Sequence, residues 1–197
     1  MFVFQVCGYR NSGKTFTAGN IISLLRNRGK RVAAVKQIHH EDFHIDEPGT
    51  DTSIHARAGA EPVVARSPAE TDILYGKGMD LRQIINRISA DWLVVEGWNN
   101  FPLPKIVCGK NSGDVDQFLD GRTFAIAGII GNQMNEYRGV PVYNVGEKED
   151  AVELVDTVVK TVFPMLPHVA DDSCGFCGLT CAELTEAVIQ GERSYSD

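Results

Sequence analysis

The chain has 197 residues, a length that suits one α/β domain with a small appendage. Its formal net charge of −7 argues against a broad basic surface for duplex nucleic acid, so any anionic ligand must be held by a local site. No apolar run is long enough to span a membrane, no secretory leader is recognised, and five cysteines do not suggest a disulfide framework, so we expect a reduced cytoplasmic protein.

Apolar runs that alternate with amphipathic segments predict the secondary structure. The predicted strands, in chain order, are 2–7, 31–38, 62–66, 71–75, 92–95, 105–108, 124–130 and 140–144. The predicted helices are 14–28, 51–60 (capped by Asp51 or Thr52), 79–89, 148–162 and 182–190. This alternation predicts an α/β fold of the P-loop NTPase type, a mostly parallel sheet with helices on both faces. We predict a nucleotide-binding domain over 1–165 and a cysteine-rich tail over 166–197.

The loop between the first strand and the first helix has the spacing of a phosphate-binding loop. Such a loop wraps backbone N–H groups around phosphate oxygens, so it needs glycine where a side chain would block the approach, as at Gly8 and Gly13. We expect Lys14 to reach the β- and γ-phosphates, Thr15 to bind Mg²⁺, and the positive helix end to face the anion. A chance match in a glycine turn is disfavoured by the strand before the loop and the helix after it. The predicted nucleotide-binding residues of this segment are Gly8, Tyr9, Arg10, Asn11, Ser12, Gly13, Lys14, Thr15 and Phe16.

Two further segments place carboxylates at the carboxyl ends of predicted strands, the edge at which open α/β sheets bind ligands. The polar loop after the second strand carries Asp46 and Asp51, either of which could hold Mg²⁺ directly or through water. The alternative is a solvated polar loop, and its histidines lack the helical spacing of a dedicated zinc site. Glu96 ends the strand over 92–95 and is suited to the Mg²⁺ shell or to an attacking water. We therefore predict Thr15, Asp46, Asp51 and Glu96 as Mg²⁺ residues, with Glu96 and Asp46 also catalytic.

The strand over 124–130 leads to Asn132, which is placed to contact a nucleotide base. Common guanine-specific GTPases have Asn-Lys-x-Asp at this point, and this chain lacks the aspartate, so chemistry alone leaves the base open. No clear arginine finger is found, with Arg10 the nearest candidate, so we expect weak hydrolysis at most.

Several segments together resemble the molybdopterin-guanine dinucleotide biosynthesis protein B (MobB) family, over roughly residues 1–165. They are Gly8 to Thr15, Val35 to His40, Asp46 with Pro48 to Thr52, Ala58 to Ala60, Val95 to Gly97 and Pro104 to Ile106. The resemblance implies a GTP-binding accessory protein, usually dimeric, that assists the attachment of GMP to molybdopterin by a partner guanylyltransferase. It carries over Lys14 and Thr15 as phosphate and Mg²⁺ residues and the three carboxylates above as acidic site residues. Many members have an acidic residue after Lys-Ile, whereas this chain has Val107-Cys108, so the role of the Lys105 strand is left open.

The tail contains Cys174, Cys177 and Cys181, separated by two and then three residues. Thiolates with glycines between them let the backbone fold around a metal or cluster. The stretch resembles small [4Fe–4S] modules, whose fourth cysteine would fall about where this chain ends. Cys108, His168, another subunit or a residue lost by truncation could supply that ligand. Zinc on a Cys₃His set is the competing chemistry, and free cysteines in a capped helix are the plainest alternative.

The leading hypothesis is a GTP-binding accessory protein in the maturation of the molybdenum or tungsten cofactor, assisting formation or delivery of molybdopterin guanine dinucleotide. Its expected cofactors are GTP with Mg²⁺ and a [4Fe–4S] cluster or Zn²⁺ in the tail. Its expected partners are the guanylyltransferase, molybdopterin and a second copy of the chain. Two alternatives remain: a metallochaperone-type GTPase served by the histidine loop and cysteine tail, and a small-molecule kinase that uses Lys14 and Arg10.

Overall fold

The computed structural model describes residues 1–98, 101–165 and 177–196. The chain divides into two compact units, one of Met1–Gln37 with Ser89–Asp197 and one of Ile38–Ile88. We name them the sheet unit and the hairpin unit, and each is described by itself. No helix among the described residues combines the length and the apolar character needed to cross a bilayer.

Nine strands and six α-helices are assigned within the described residues. The strands are β1 (Phe2–Gly8), β2 (Val32–Lys36), β3 (Val63–Arg66), β4 (Thr71–Leu74), β5 (Trp92–Glu96), β6 (Lys105–Cys108), β7 (Thr123–Ala127), β8 (Glu136–Tyr137) and β9 (Val140–Pro141). The helices are α1 (Lys14–Asn27), α2 (Asp51–Arg57), α3 (Leu81–Ile85), α4 (Ser112–Asp116), α5 (Lys148–Thr161) and α6 (Cys181–Ile189), with a 3₁₀ helix at Ile129–Asn132.

The sheet unit is built on five parallel strands in the spatial order β2, β5, β1, β6, β7. The central strands are buried and mostly apolar on both faces, as expected for a parallel sheet covered on both sides. Because side chains alternate along β1, Phe4 and Val6 pack with α1 and α5 while Cys7 packs on the opposite face with Val115 of α4. The predicted fold class, a mostly parallel sheet with helices on both faces, is confirmed.

Two predicted strands differ from the structure of the sheet unit, and one observed helix was not predicted. The last predicted strand, over 140–144, is reduced to the two residues of β9, which pair antiparallel with β8. Val142 still makes a single parallel bridge to Ile126 of β7, so the segment lies beside the sheet without extending it. The predicted strand over 124–130 ends at Ala127, because Gly128 turns the chain into the 3₁₀ helix. The short helix α4 has no counterpart in the prediction, since five residues are too few to show a helical period.

The hairpin unit holds an antiparallel pair of strands, β3 and β4, together with α2 and α3. The helix predicted over 79–89 is only five residues long, and Asp80 starts it with a capping box closed by Gln83. The cap of α2 is Thr50, not Asp51 or Thr52, because Thr50 has the extended backbone of an N-cap and its hydroxyl accepts from the backbone N–H of Ser53.

The C-terminal helix α6 packs within the sheet unit. Leu184 and Thr185 are buried, and the Thr185 hydroxyl donates to the carbonyl of Pro102 at 3.2 Å. Ile189 packs against the main core cluster, and Phe163 stacks on Tyr195 beyond the helix. The predicted separation of a tail domain at residue 166 stays a prediction, and residues 166–176 lie outside the described residues.

Thr180→Ala is expected to destabilise α6 by about 1 kcal/mol, because Thr180 closes a capping box with Glu183. Its hydroxyl accepts from the Glu183 N–H, and the Glu183 carboxylate accepts from the Thr180 N–H at 2.8 Å. Hydrogen exchange of the α6 amides measures the loss. Glu183→Gln is the matched control, since glutamine also serves a capping box, and protection in that variant should fall less than in Thr180→Ala.

Candidate functional site

The loop between β1 and α1 forms a tight turn that ends at an uncapped helix start. Gly8, Asn11 and Gly13 have φ values of 138°, 60° and 96°, all in the region that favours glycine or asparagine. Gly13 is the N-cap of α1 and has no side chain to accept from the first N–H groups, and the first turn contains no acidic residue. These N–H groups are therefore left for an outside acceptor, at the positive end of a helix of 14 residues.

Two glycines let this loop pack directly against neighbouring backbone. A Cβ atom on Gly8 would lie 2.0 Å from the carbonyl oxygen of Cys108, and one on Gly128 would lie 2.2 Å from the carbonyl oxygen of Ser12. Both distances are impossible for real atoms, so neither position accepts a side chain. Gly128, which follows β7, was not among the predicted site residues, although a glycine that ends an apolar strand signals close backbone approach.

Two polar side chains of the loop differ in their hydrogen bonding. The Lys14 ammonium donates to the carbonyl of Tyr9 at 2.6 Å, which folds the side chain back over the loop. The Ser12 hydroxyl is buried and has no hydrogen-bond partner among the described residues. A buried hydroxyl without a partner is costly, so this oxygen marks a position that a ligand or water would satisfy.

Thr15, Glu96 and Lys36 form one cluster beside the loop. The Thr15 hydroxyl donates to Glu96 Oε1 at 2.7 Å. The Lys36 ammonium donates to Thr15 Oγ1 at 3.2 Å and lies 3.1 Å from the same Glu96 oxygen. The structure thus brings together two of the four predicted Mg²⁺ residues, and it adds Lys36, which was not predicted to belong to the site.

Strand register explains why these side chains meet. Lys36 ends β2 and Glu96 ends β5, and the two residues pair in register, while Glu96 also pairs with Val6 of β1. The segments that follow β2 and β5 are also hydrogen-bonded to each other, since the Trp98 N–H donates to the side-chain oxygen of Gln37 at 2.7 Å. The carboxyl ends of three parallel strands therefore present Lys36 and Glu96 to the start of α1.

Asn132 lies at the end of the 3₁₀ helix that follows β7. It is exposed, and its side-chain oxygen accepts from the Asn144 amide at 2.9 Å. This pairing uses the side-chain oxygen of Asn132 and not its N–H₂ group. Arg10, Tyr9 and Phe16 are also exposed.

Asp46 and Asp51 belong to the hairpin unit and are described within it. Asp46 Oδ1 accepts from the hydroxyls of Thr50 at 2.7 Å and Thr52 at 3.0 Å. The hydrogen bond from Thr50, aided by that from Thr52, lowers the pKa of the Asp46 carboxyl from its ordinary value. Asp51 lies in the first turn of α2. Both assignments to the Mg²⁺ site stay predictions.

The cysteines separate into buried and accessible groups. Cys7 and Cys108 lie in the core, where burial raises the pKa of the first to about 11 and of the second to about 12. Cys108 therefore stays a protonated thiol packed against Thr17, which makes it a poor candidate for the missing cluster ligand. Cys177 and Cys181, which lie before and at the first residue of α6, are partly exposed. Cys174 and His168 lie outside the described residues. In the described part of the chain, no group of three or more acidic, histidine or cysteine side chains is arranged to hold a metal ion.

Comparison with known families gives a match to the one described as molybdopterin guanine dinucleotide synthesis protein B, over residues 3–130. A putative molybdopterin-guanine dinucleotide biosynthesis adapter protein of Methanocaldococcus jannaschii is 29% identical over 204 aligned positions, which cover 100% of this chain and 76% of that protein. A probable adapter protein of the same description from Bacillus subtilis is 27% identical, over 74% of this chain and 86% of its own length.

Solved structures show the same fold. The crystal structure of Bacillus subtilis MobB superposes with a TM-score of 0.67 at 23% identity, over 84% of this chain and all (100%) of that one. The MobB homologue from Bacillus stearothermophilus superposes with a TM-score of 0.59 at 21% identity, over 81% of this chain and 99% of that one. At this level of identity the likeness establishes the architecture only.

Proposed function

Since this chain belongs to the molybdopterin guanine dinucleotide synthesis protein B family, we propose that it is a GTP-binding accessory protein in molybdenum or tungsten cofactor maturation. In this role it binds GTP with Mg²⁺ and assists the formation or delivery of molybdopterin guanine dinucleotide. Any GTP hydrolysis is slow, because the phosphate loop supplies binding groups and Arg10 is the nearest candidate for an arginine that stabilises the transition state.

The observation that carries this proposal is the convergence of an uncapped helix start, the Lys14 ammonium and a buried unpartnered Ser12 hydroxyl on one loop. The N–H groups of the helix start and the Lys14 ammonium are donors, and a triphosphate offers acceptor oxygens to both. The net charge of the whole chain is −7, so this local arrangement, and not overall attraction, has to hold the anion.

The residues beside the loop suit a magnesium ion. Mg²⁺ prefers hard oxygen ligands and is bound through one or two protein groups together with phosphate oxygens. Thr15 Oγ1 and Glu96 Oε1 lie 2.7 Å apart and would supply such oxygens. The ion would neutralise phosphate charge when bound, while Glu96 would fix its position. The predicted roles of Asp46 and Asp51 at this ion, and of Glu96 and Asp46 in hydrolysis, stay proposals.

Titration calorimetry with GTP and with ATP, each with and without Mg²⁺, tests the nucleotide proposal. We expect Mg²⁺-dependent binding with a preference for GTP. Failure to bind either nucleotide would overturn the proposal. A phosphate-transfer activity with ATP that needs a small-molecule acceptor would support the kinase alternative, and GTP-coupled, stoichiometric binding of nickel or zinc would support the metallochaperone.

Asn132→Ala is expected to reduce the preference for GTP over ATP by about tenfold, because one hydrogen bond to a base is worth roughly 1.4 kcal/mol. The Asn144 contact leaves the amide group of Asn132 free to donate, and guanine O6 is an acceptor where adenine carries an amino group. The same calorimetric titrations provide the measurement. Gln133→Ala, at the adjacent exposed residue, is the matched control and should keep the preference.

The proposed partners are a guanylyltransferase, molybdopterin and a second copy of this chain. The support is the family assignment together with the description of the relatives as adapter proteins. Size-exclusion chromatography with light scattering tests the homodimer. Co-elution with the guanylyltransferase in the presence of GTP tests the partnership, and a lack of co-elution at micromolar concentrations would count against it.

We also propose that Cys174, Cys177 and Cys181 bind a [4Fe–4S] cluster, with Zn²⁺ as the alternative. The support is the cysteine spacing and the partial exposure of Cys177 and Cys181. Anaerobic purification followed by iron, sulfide and zinc analysis separates the two. Colourless protein with one zinc per chain would eliminate the cluster, and metal-free protein would eliminate both.

A further inference from the structure

Lys36 is a charged residue of the site that the proposed function leaves without a role. Its ammonium lies 3.1 Å from Glu96 Oε1 and donates to Thr15 Oγ1 at 3.2 Å. These are the two oxygen atoms that the proposed function gives to Mg²⁺. The ammonium of Lys36 thus has the same two partners as the ion.

The two ends of this ion pair differ in freedom. The side chain of Lys36 is 54% exposed, whereas that of Glu96 is 12% exposed. Glu96 is also fixed by strand pairing on both sides, with β2 and with β1. A lysine has a long, flexible stem and its ammonium is readily rehydrated, so Lys36 is the partner that can leave while the carboxylate stays in place.

A second cation cannot be added to this cluster without cost. An ammonium and a divalent ion within a few ångströms repel each other, and the repulsion is large where the carboxylate is nearly buried. Entry of Mg²⁺ therefore requires the ammonium to move. Phosphate oxygens that arrive with the ion offer the ammonium new partners of the same charge as Glu96.

We propose that Lys36 is a positioning residue that substitutes for Mg²⁺ in the nucleotide-free protein and transfers to the phosphates when Mg–GTP binds. The ammonium keeps Thr15 and Glu96 together and excludes divalent cations that arrive without nucleotide. Metal binding is thereby coupled to nucleotide binding. This inference rests on the proposed function, because it assigns the site to Mg²⁺ and a triphosphate.

The test measures metal and nucleotide separately in wild type, Lys36→Met and Lys36→Arg. Electron paramagnetic resonance with Mn²⁺ reports binding of the free ion without nucleotide, and calorimetry reports binding of Mg–GTP. For Lys36→Met we expect about tenfold tighter Mn²⁺ binding and about tenfold weaker Mg–GTP binding, since the competing charge and the phosphate contact are both lost. Lys36→Arg keeps the charge and should remain close to wild type in the Mn²⁺ titration.

In Lys36→Met the affinity for Mn²⁺ is expected to rise and the affinity for Mg–GTP to fall. This opposite change distinguishes a residue that substitutes for Mg²⁺ from one that only links β2 to β5. A structural tie predicts that Lys36→Met weakens both ligands, and unchanged Mn²⁺ binding would likewise overturn the proposal. If wild type binds no GTP, the proposed function fails, and the Mn²⁺ titration still decides whether the ammonium excludes a divalent ion. Lys30→Met, at an exposed lysine beyond α1, is the control for the loss of one positive charge.

Discussion

Replacing Lys14 by alanine is expected to weaken the binding of Mg–GTP by about 100-fold or more. A hydrogen bond to a charged group contributes roughly 1.5–3 kcal/mol, and in the proposed complex the ammonium would contact more than one phosphate oxygen. The Lys14 ammonium lies over the loop and donates to the Tyr9 carbonyl at 2.6 Å. The side chain is exposed enough to exchange that neutral partner for a phosphate without a change in the fold. Titration calorimetry of wild type and variant gives the measurement.

Lys30→Ala is the matched control for Lys14→Ala. It removes the same charge from an exposed position after the opposite end of α1, where no phosphate contact is proposed. If Lys14 acts only through long-range attraction, both variants should lose a similar amount of GTP affinity, and that loss should decrease as salt is added. Direct contact predicts a loss confined to Lys14→Ala. Equal affinity of Lys14→Ala and wild type would remove the phosphate loop from the proposed site.

The architecture around the loop was predictable because each signal is local. A buried apolar strand, a loop with glycine at two required positions and an amphipathic helix occupy consecutive residues, and β1, the loop and α1 follow that order in the structure. The order of the strands was not predictable in the same way. It depends on which strands pair across long stretches of chain, as when β5 inserts between β1 and β2.

The site was predicted in part for the same reason. Glu96 was recognisable because a carboxylate follows an apolar strand, and the structure places it against Thr15. Lys36 ends its strand in the same way with the opposite charge, yet a lysine at a strand end has no specific spacing to mark it. Only the register between β2 and β5 shows that Lys36 and Glu96 are neighbours. The role of Gly128 was also not predictable from the sequence, because its close contact with Ser12 joins residues far apart in the chain.

The surroundings of Lys105, whose strand was left without an assigned role by the sequence, indicate a structural role. Its side chain is 6% exposed and its ammonium lies 2.7 Å from Asp120 Oδ2. Arg122 donates to the same carboxylate oxygen, and Arg122 Nη1 also donates to the Phe101 carbonyl at 3.1 Å. Asp120 therefore joins the start of β6 to the segment that leads into β7. These contacts favour a structural role for Lys105.

Asp120→Asn is accordingly expected to lower the free energy of unfolding by about 3 kcal/mol at pH 7. The amide cannot neutralise the ammonium of Lys105, which is nearly buried, and an unpaired buried charge is costly. The value lies at the low end of the usual range because the Asp120 side chain is 35% exposed and its interactions are partly screened. Urea unfolding of wild type and variant provides the measurement.

Asp116→Asn is the matched control, since Asp116 pairs with the exposed side chain of Arg138. A surface ion pair contributes about 0–1 kcal/mol, so this variant should unfold close to wild type. If Asp120→Asn is no less stable than Asp116→Asn, the buried lysine is not held by its carboxylate, and Lys105 would again be open to a functional role.

The pH dependence of the Asp120→Asn effect separates lost charge from altered packing. Burial alone would raise the pKa of the Asp120 carboxyl, but hydrogen bonds from Arg122 and Lys105 outweigh burial and hold that pKa below its ordinary value. The ionised carboxylate therefore contributes stability that is complete above the unfolded pKa of about 4 and is lost as pH falls through the lower folded pKa. The stability difference between wild type and Asp120→Asn should shrink from about pH 5 to about pH 2, because protonated aspartic acid is as neutral as asparagine. A packing defect would persist unchanged over that range, so a difference that does not narrow in acid would contradict the electrostatic explanation.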